Sequence, residues 1–505
     1  MKTAIRVCLA VACAVTALGF NAGVGLDTRA SALAASAVEC FDPAAYGAIP
    51  NDGLDDRVPA QQAIDAAVAA GGGQVCFGAG HWTLTRSPSG TYNRFAALST
   101  HGQHIEIRGA GLGTILEVVG DQQAGALWVI SVDPGARDIL IRDLTIDTSR
   151  TVNTDEQFHA IEIGSGIGTG TIEDVKIENV RFNHPDATDG SRKGDCLRLI
   201  GNTPESLVRR VTVIGSTFTT CARSGIAIQR NVFDLIIQGS QFTQASDQDI
   251  DSEPTGGAGD LNGSISIIGN IFRDDVEIAQ GDWAVTLGGI GGPMARVVVA
   301  DNIFEGRGLG FYRASDVTVT GNSFVATMES SYGVINSGNI LDRITITGNT
   351  IRRLGVAGAA IRMIHQSGGS PGRVVIADNV ITQETAGSGI QLESVQHLTV
   401  SGNDMLWTVP ASGATGIQIR PVLQAADGIL IAENRISAMG LLAAVYLGAS
   451  PETFKAVSII GNMARGTTAS LQCANPTLFE EPIVHASNNW TTAPACTVPL
   501  VTQQP

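Results

Sequence analysis

The chain carries a short sequence pattern that recurs about every 29 residues through its central part. Each copy is a stem of alternating β-branched residues that ends in Asn or in a residue of similar character. The copies end at Asp143, Asn179, Ser216, Ser240, Asn270, Asn302, Asn322, Asn349, Asn379, Asn403, Asn434 and Asn462. Their spacing varies while the stems keep their length, so loops of unequal length join equal strands. A repeat of this kind predicts stacked coils.

A second short strand is expected between successive stems, usually opened by a small residue. The segments AIEI, GIAI and AVTL, at residues 160–163, 225–228 and 284–287, alternate with a period of two, and no helical period competes with them. Stem, corner and second strand together predict an all-β, single-stranded parallel β-helix of about 12 coils. Asn suits the corner because it tolerates left-handed backbone angles and because stacked amides can hydrogen-bond.

The segment before the repeat predicts an N-terminal α-helical cap. Residues 59–70 are the best helix candidate in the chain, and three glycines end the helix. Residues 41–84 resemble the opening of the pectate lyase and polygalacturonase superfamily. The matching residues are Tyr46, Gly47, Ala48, Asp52, Gly53, Asp55, Asp56, Ala63, Ile64, Ala67, Gly72, Gly73, Val75, Phe77, Gly80 and Trp82. The resemblance implies a right-handed parallel β-helix that acts on polysaccharides, while the catalytic motifs of polygalacturonases have no full match downstream.

The first residues predict an export signal. Lys2 and Arg6 precede an apolar run, and Ala35-Ser36-Ala37 fits a cleavage pattern, so residues 1–37 are interpreted as a signal peptide. The remaining boundaries are residues 38–100 for the N-terminal cap and first coils, 101–465 for the β-helix and 466–505 for a C-terminal cap. We expect a secreted or periplasmic protein that has no membrane association after cleavage.

Six cysteines remain after this cleavage, and an even number suits an oxidising compartment. Their order along the chain favours Cys40–Cys76, Cys196–Cys221 and Cys473–Cys496 as disulfides; the alternative is six buried thiols. The formal net charge of -16 argues against a nucleic-acid partner, because phosphate binding needs clustered Lys and Arg. No cofactor is predicted, apart from the calcium alternative that arises at the candidate site.

The sharpest chemical feature is a run of three alternating carboxylates. Asp249, Asp251 and Glu253 would share one face of a strand, with neighbouring members about 6.6 Å apart. This separation is near that of inverting glycosidases, and adjacent carboxylates raise at least one pKa. We predict a glycoside hydrolase in which Asp251 and Glu253 divide the acid and base roles, Asp249 tunes them, and Asp195 is a further catalytic candidate. The same carboxylates could instead bind Ca²⁺ or form a solvated edge.

Outward positions of successive second strands align as rows that suit an extended polysaccharide. The predicted substrate-binding residues are Arg198, Arg223, Arg230, Trp283, Tyr312, Arg362, Glu393 and Arg420. A polysaccharide lyase or a uronate epimerase remains an alternative, with Lys193, His184 or an arginine as the base. A non-catalytic glycan-binding or surface-structural β-helix protein is the third reading, because a fold does not determine a function.

Overall fold

The computed structural model describes most of the chain after the predicted signal peptide. The described residues are 40–87, 96–121, 126–152, 155–164, 169–184, 193–201, 203, 205–252, 262–273, 283–288, 294–327, 332–338, 342–355, 357–364, 372–448 and 451–501. The predicted signal peptide and Glu253 lie outside these residues. Within the described part of the chain, no helix has the length and apolar character needed to cross a membrane.

The strands stack in three parallel sheets, here called the first, second and third sheet. The first sheet contains the predicted stems and extends beyond them at both ends: Cys40–Phe41, Gly73–Phe77, Gln103–Gly109, Arg137–Val152, Ile172–His184, Val208–Ile214, Val232–Gln238, Asn262–Ile268, Met294–Ala300, Ala314–Thr320, Asp342–Thr347, Val374–Ala377, Leu398–Ser401, Ile429–Ala432, Val457–Ile460, Ile483–Ala486 and Leu500–Val501. Coil pairing therefore continues into the segment assigned to the C-terminal cap.

The second sheet follows each stem directly after the corner. Its strands are Gly80–Leu84, Thr114–Asp121, Thr217–Cys221, Gln241–Thr243, Ile271–Arg273, Ile303–Gly306, Ser323–Ala326, Thr350–Arg353, Val380–Gln383, Asp404–Pro410, Arg435–Leu447, Met463–Cys473 and Asn489–Trp490. The long strands Arg137–Val152 and Ile172–His184 bend at the corner and belong to both the first and the second sheet.

The third sheet contains the predicted second strands. Its members are Ala96–Thr100, Leu127–Val132, Phe158–Gly164, Leu197–Ile200, Ile226–Ile228, Ile250–Ser252, Trp283–Leu287, Gly308–Tyr312, Ile335–Gly338, Ile361–Ile364, Ile390–Glu393 and Thr415–Arg420. The later halves of Arg435–Leu447 and Met463–Cys473 complete it. Every pairing is parallel, which confirms the predicted parallel β-helix.

A helix covers the N-terminal end of the stack, as predicted. It runs over Arg57–Ala69, two residues earlier at its start than the sequence pattern indicates, and buries Ala60, Ala63, Ile64 and Ala67 against the first coils. A short 3₁₀ turn, Pro43–Tyr46, precedes it, and a second such turn, Pro476–Leu478, lies near the other end. The helix removes from solvent an edge that would otherwise present unpaired backbone groups.

The corner asparagines form a continuous ladder of side-chain amides. In each rung the Nδ2 of one Asn donates to the Oδ1 of the Asn in the next coil, at 2.9 to 3.0 Å. The members are Asn270, Asn302, Asn322, Asn349, Asn379, Asn403, Asn434, Asn462 and Asn488. Each Oδ1 also accepts a backbone N–H from the preceding coil, so the predicted stacking is confirmed.

The backbone reason proposed for Asn at the corner is wrong. The ladder asparagines do not have positive φ; the residue before each one does, as at Gly348 (65°) and Asp378 (55°). Asn179, with φ of 52°, occupies that preceding position and is followed by Val180. Asn is therefore selected at the corner by its two-sided amide, and the left-handed turn is made by the neighbour.

Repetition extends into the interior. Six phenylalanines of the second sheet stack on one another with ring centroids 4.5 to 4.9 Å apart: Phe182, Phe218, Phe242, Phe272, Phe304 and Phe324. Ile, Val and Leu side chains from all three sheets fill the rest of a continuous core. The identical inward positions of successive coils thus contact each other, and each coil is stabilised by its two neighbours.

All three predicted disulfides are present. Cys40–Cys76 ties the first residues of the described chain to the first sheet, and Cys473–Cys496 ties the last coils together. Cys196–Cys221 lies beside the third sheet, where it joins the segments that carry Asp195 and Arg223. The cysteines are therefore paired in the order in which they occur in the sequence, and the alternative of six buried thiols is wrong.

Candidate functional site

The outward side chains of the third sheet form a row with one residue per coil, here called the outer row. Backbone pairing places them in register as Glu162, Arg198, Ala227, Asp251, Thr286, Gly310, Asn336, Arg362, Gln391, Gln418 and Tyr446. The outward positions aligned from the sequence are the same apart from Asn336, whose strand was not recognised in the sequence. Strand spacing puts successive members about 4.8 Å apart.

Arg198 is held in place by side chains from neighbouring coils. Its Nη1 donates to Oε2 of Glu162 at 2.9 Å and to Oε1 of Gln157, and its Nη2 donates to Oε1 of Gln229 at 2.8 Å. Burial raises the pKa of Glu162 to about 7, although the guanidinium of Arg198 opposes that rise. This end of the outer row therefore contains a carboxyl group that changes its charge near neutral pH.

Asp195 lies in a second buried charge cluster next to the third sheet. Arg223 donates to both of its carboxylate oxygens, from Nε at 2.9 Å and from Nη2 at 2.7 Å, and Nδ1 of His159 lies 3.3 Å from Oδ2. Burial raises the pKa of Asp195, but His159 and Arg223 together outweigh burial and hold the pKa well below its ordinary range. Burial lowers the pKa of His159. Asp195 and Arg223 therefore form a buried ion pair.

Two of the three predicted carboxylates are described, and they differ in exposure. Asp251 lies on the strand Ile250–Ser252 with 9 % of its surface exposed. Asp249 immediately precedes that strand, is buried, and has Oδ2 3.9 Å from Nη2 of Arg307. Asp251 belongs to the outer row, whereas Asp249 is in register with Gly225, where a Cβ would meet the core residue Phe242, so only Asp251 is placed on the outer face. The catalytic assignment of Asp249, Asp251, Glu253 and Asp195 stays a prediction.

Calcium binding also stays a prediction. The proposed oxygen ligands were Asp249, Asp251 and Glu253, of which the structure describes the first two. Among the described residues, no group of three or more His, Cys, Asp or Glu side chains is arranged to hold a metal ion.

Three aromatic side chains lie beside the middle of the outer row. Trp283 lies with its ring centroid 5.7 Å from that of Tyr312 and 5.5 Å from that of Tyr332. The guanidinium carbon of Arg362 lies 5.3 Å from the centre of the Tyr332 ring, and its Nη1 lies 3.5 Å from Oδ1 of Asn336. The structure thus brings together three predicted substrate-binding residues, Trp283, Tyr312 and Arg362.

The remaining predicted substrate-binding residues are spread over the row. Glu393 and Arg420 lie on adjacent third-sheet strands and form an ion pair at 3.3 Å. Arg230 follows the strand Ile226–Ile228, and its carbonyl accepts the N–H of Gly201. Arg223 reaches Glu156 at 3.0 Å in addition to Asp195. Their roles as substrate ligands stay predictions.

Several residues of this region were missed by the sequence analysis. Gln157 and His159 contact Arg198 or Asp195 from other coils, and Tyr332 precedes the third-sheet strand Ile335–Gly338, which was not recognised in the sequence. Arg307, beside Asp249, is also new. The row register would have found Asn336, whereas the loop residues depend on how each loop folds back.

The geometry defines a parallel β-helix with a polar outer row on its third sheet, which is the predicted fold. No known protein family matches the chain as a whole. A segment of 141 residues is 32% identical to the mannuronan C5-epimerase AlgE4 of Azotobacter vinelandii and covers 27% of this chain and 24% of that protein. The match thus spans about a quarter of the length of this relative.

Two solved structures that are similar to the chain illustrate the range of the likeness. The tailspike gp61 of Pseudomonas phage phi297 is similar with a TM-score of 0.51 and 12% identity, over 85% of this chain and 80% of the tailspike chain. The surface adhesin PfbA of Streptococcus pneumoniae has a TM-score of 0.47 and 16% identity, over 88% of this chain and 100% of the adhesin chain. At these identities the likeness to the tailspike concerns the fold alone.

Proposed function

We propose that this protein is an exported enzyme that acts on a polysaccharide lying along the outer face of the third sheet. The observation that carries the proposal is the outer row, in which Asp251 is paired with Ala227 and then Arg198 on one side and with Thr286 on the other. Polar side chains at one fixed spacing match a polymer of repeated units. The sequence match to a polysaccharide-modifying epimerase supports this substrate class, and the three disulfides support a secreted or periplasmic location.

The reaction we propose is glycoside hydrolysis with Asp251 as an acid or base. Asp251 lies in the outer row and is largely buried, with 9 % of its surface exposed, so a substrate oxygen would approach it from the outer face of the third sheet. Asp249 is buried two residues away and faces Arg307, so its role is to tune the charge of the site. Glu253, at the next outward position in sequence, is the proposed second carboxylate, at the separation that suits an inverting hydrolase.

Arginines and aromatic residues of the outer row would hold the sugar chain. Arg198 presents a guanidinium whose orientation is set by Glu162, Gln157 and Gln229, so little rotamer entropy is lost on binding. Arg230, Tyr312 and Arg362 extend the binding surface to either side of Asp251. Such positioning places the glycosidic bond against the carboxylates, which is a large part of catalysis.

A second candidate is reaction at C5 of a uronate, as a lyase or an epimerase. The specific observation that favours it is the identity to a mannuronan C5-epimerase over 141 residues. Arg198 would then neutralise the sugar carboxylate, since a guanidinium binds a carboxylate through two donors. A base at C5 would be needed in addition, with Lys193, His184 or one of the arginines as the predicted residue; His184 is fully buried, with its ring nitrogens on Thr148 and the Phe158 carbonyl.

One experiment separates these reactions. The secreted protein is incubated with a panel of neutral and uronate polysaccharides, while reducing ends, ultraviolet absorbance and the C5 configuration of the sugars are followed together. Hydrolysis yields reducing ends without absorbance, a lyase yields absorbance, and an epimerase changes only the configuration. The variant Asp251→Asn should abolish the activity, whereas Asp234→Asn, on the first sheet, should not. Equal activity of the two variants would refute the site assignment.

A further inference from the structure

The aromatic residues near the middle of the outer row form a compact group, here called the aromatic platform, made of Trp283, Tyr312 and Tyr332. Trp283 is the buried member, with 7 % of its surface exposed, and its Nε1 donates to the carbonyl of Gly333 at 3.2 Å. Tyr332, by contrast, is 40 % exposed and contacts the Trp283 ring. The platform therefore has a fixed base and an accessible edge.

Two glycines make room for the rings. A Cβ at Gly310 would lie 2.8 Å from the Trp283 ring, and a Cβ at Gly338 would lie 2.8 Å from the Tyr312 ring. Neither glycine has a positive φ, so the backbone conformation itself does not require glycine at these positions. Each glycine instead lets a ring from the preceding coil lie across the strand, on the outer face of the sheet. A smaller side chain than tryptophan or tyrosine would not need this space.

Arg362 adds hydrogen-bond donors to the platform. Its guanidinium lies over the Tyr332 ring and has Oδ1 of Asn336 at 3.5 Å. Among the described residues, no carboxylate lies within ion-pair distance of Arg362, unlike Arg420, which pairs with Glu393. A guanidinium has five donors, so several remain for ligand oxygens. Aromatic carbon and free donors side by side suit a sugar ring, whose C–H faces are apolar and whose edge carries hydroxyl groups.

We propose that Tyr332, Trp283 and Arg362 form a distal subsite that binds one sugar unit of the substrate and sets its minimum length. Trp283 lies over Gly310, which is two pairing steps along the outer row from Asp251, and Arg362 is four steps away. The subsite therefore begins about 10 Å from Asp251 and extends to about 19 Å. A disaccharide at Asp251 cannot reach the platform, whereas a hexasaccharide can occupy both. This inference rests on the proposed function in taking the ligand to be a polysaccharide.

The test measures binding rather than turnover. Asp251→Asn protein is titrated with disaccharides and hexasaccharides of mannuronate, galacturonate and glucose, by calorimetry and by tryptophan fluorescence. We expect one hexasaccharide to bind, and Tyr332→Ala to weaken its affinity about three- to tenfold while the disaccharide affinity stays constant, because an aromatic contact contributes about 0.5–1.5 kcal/mol. Tyr332→Phe should retain the affinity, since it keeps the ring.

Tyr46→Ala is the matched control, because Tyr46 is 37 % exposed and lies in the N-terminal cap, away from the third sheet. The subsite is refuted if Tyr332→Ala and Tyr46→Ala bind the hexasaccharide equally well, or if none of the three hexasaccharides binds. The outcome is independent of the reaction: full turnover by Asp251→Asn would overturn the proposed catalytic site alone, and an unchanged Tyr332→Ala affinity would overturn the subsite alone.

Discussion

The corner ladder and the outer row are both columns with one residue per coil, yet they are built in opposite ways. The ladder repeats Asn from Asn270 to Asn488, with the same two acceptor contacts in each rung. The outer row changes its residue at almost every coil, from a carboxylate and a guanidinium to alanine, glycine and amides. Since both columns have the same strand register, the backbone does not require this variety. Repetition marks the stabilising column, and variation marks the column available for recognition.

The largest expected effect separates function from stability at Asp251. The variant Asp251→Asn should lower turnover of the polysaccharide by about 10²- to 10⁴-fold, because it removes an acid–base group. The melting temperature should change little, since the replacement keeps the shape of the side chain. Turnover and thermal unfolding are measured on the same preparation. A fall in melting temperature with full activity would mean that the outer row stabilises the fold as the ladder does.

The second effect compares the stability contributed by a buried ion pair next to the third sheet with that contributed by an exposed ion pair on the first sheet. Removing Arg223 with Arg223→Ala leaves Asp195 buried without its guanidinium, and we expect a loss of about 3–5 kcal/mol in the free energy of unfolding. The control is Arg343→Ala, whose ion pair with Asp316 is exposed on the first sheet and should matter little. Denaturant unfolding measures both. Equal losses of unfolding free energy would show that the buried ion pair contributes no more to stability than the exposed one.

The third effect tests the ladder itself. In Asn349→Leu, the backbone N–H and the side-chain amide of Asn322 lose their acceptor, and the Oδ1 of Asn379 loses its side-chain donor while keeping the backbone N–H of residue 349. We expect this to cost about 3 kcal/mol or more. Asn349→Ser should cost less, because Ser216 and Ser240 occupy the same position in earlier coils and hydrogen-bond there. Thermal unfolding of both variants would check this order. Activity per folded molecule should be unchanged in each.

The smallest effect concerns pH. The pKa of Glu162 is about 7 in the folded protein, above its ordinary value of 4.5 in the unfolded chain. Between these two pH values the folded state keeps a proton that the unfolded state has lost. Stability should therefore fall as pH rises from about 4.5 to about 7, by at most about 3 kcal/mol, and stay constant above that. Glu162→Gln should flatten the plot of unfolding free energy against pH over this range. Glu205→Gln, on an exposed loop, should leave the plot unchanged. An unchanged slope in Glu162→Gln would remove Glu162 as the titrating group.

Most of the fold could be predicted from the sequence because it is local and repeated. The stems show their alternation within six residues, the capping helix ends at three glycines, and the outer row follows once the stems are aligned. The ladder was found although the backbone reason given for Asn was wrong. The extra strands at either end of the first sheet were missed, since their sequences depart from the stem pattern.

The site was less predictable because it depends on contacts between distant residues. Arg198 meets Gln157 across 41 positions and Glu162 across 36, and no local pattern fixes those separations. The raised pKa of Glu162 follows from burial, which a row of outward positions does not reveal. Tyr332 is likewise defined by the ring of Trp283, a neighbour that only the folded chain brings close.

The asparagine ladder also has an electrical direction. From Asn270 to Asn488 every side-chain carbonyl accepts from the preceding coil, and from Asn270 to Asn462 every side-chain amide donates to the following one. The amide dipoles are therefore aligned head to tail along the coil axis, and each polarises the next. Bonds in the middle of such a chain are strengthened from both sides, while those at its ends are strengthened from one. The ladder is thus most cohesive at its centre, around Asn379.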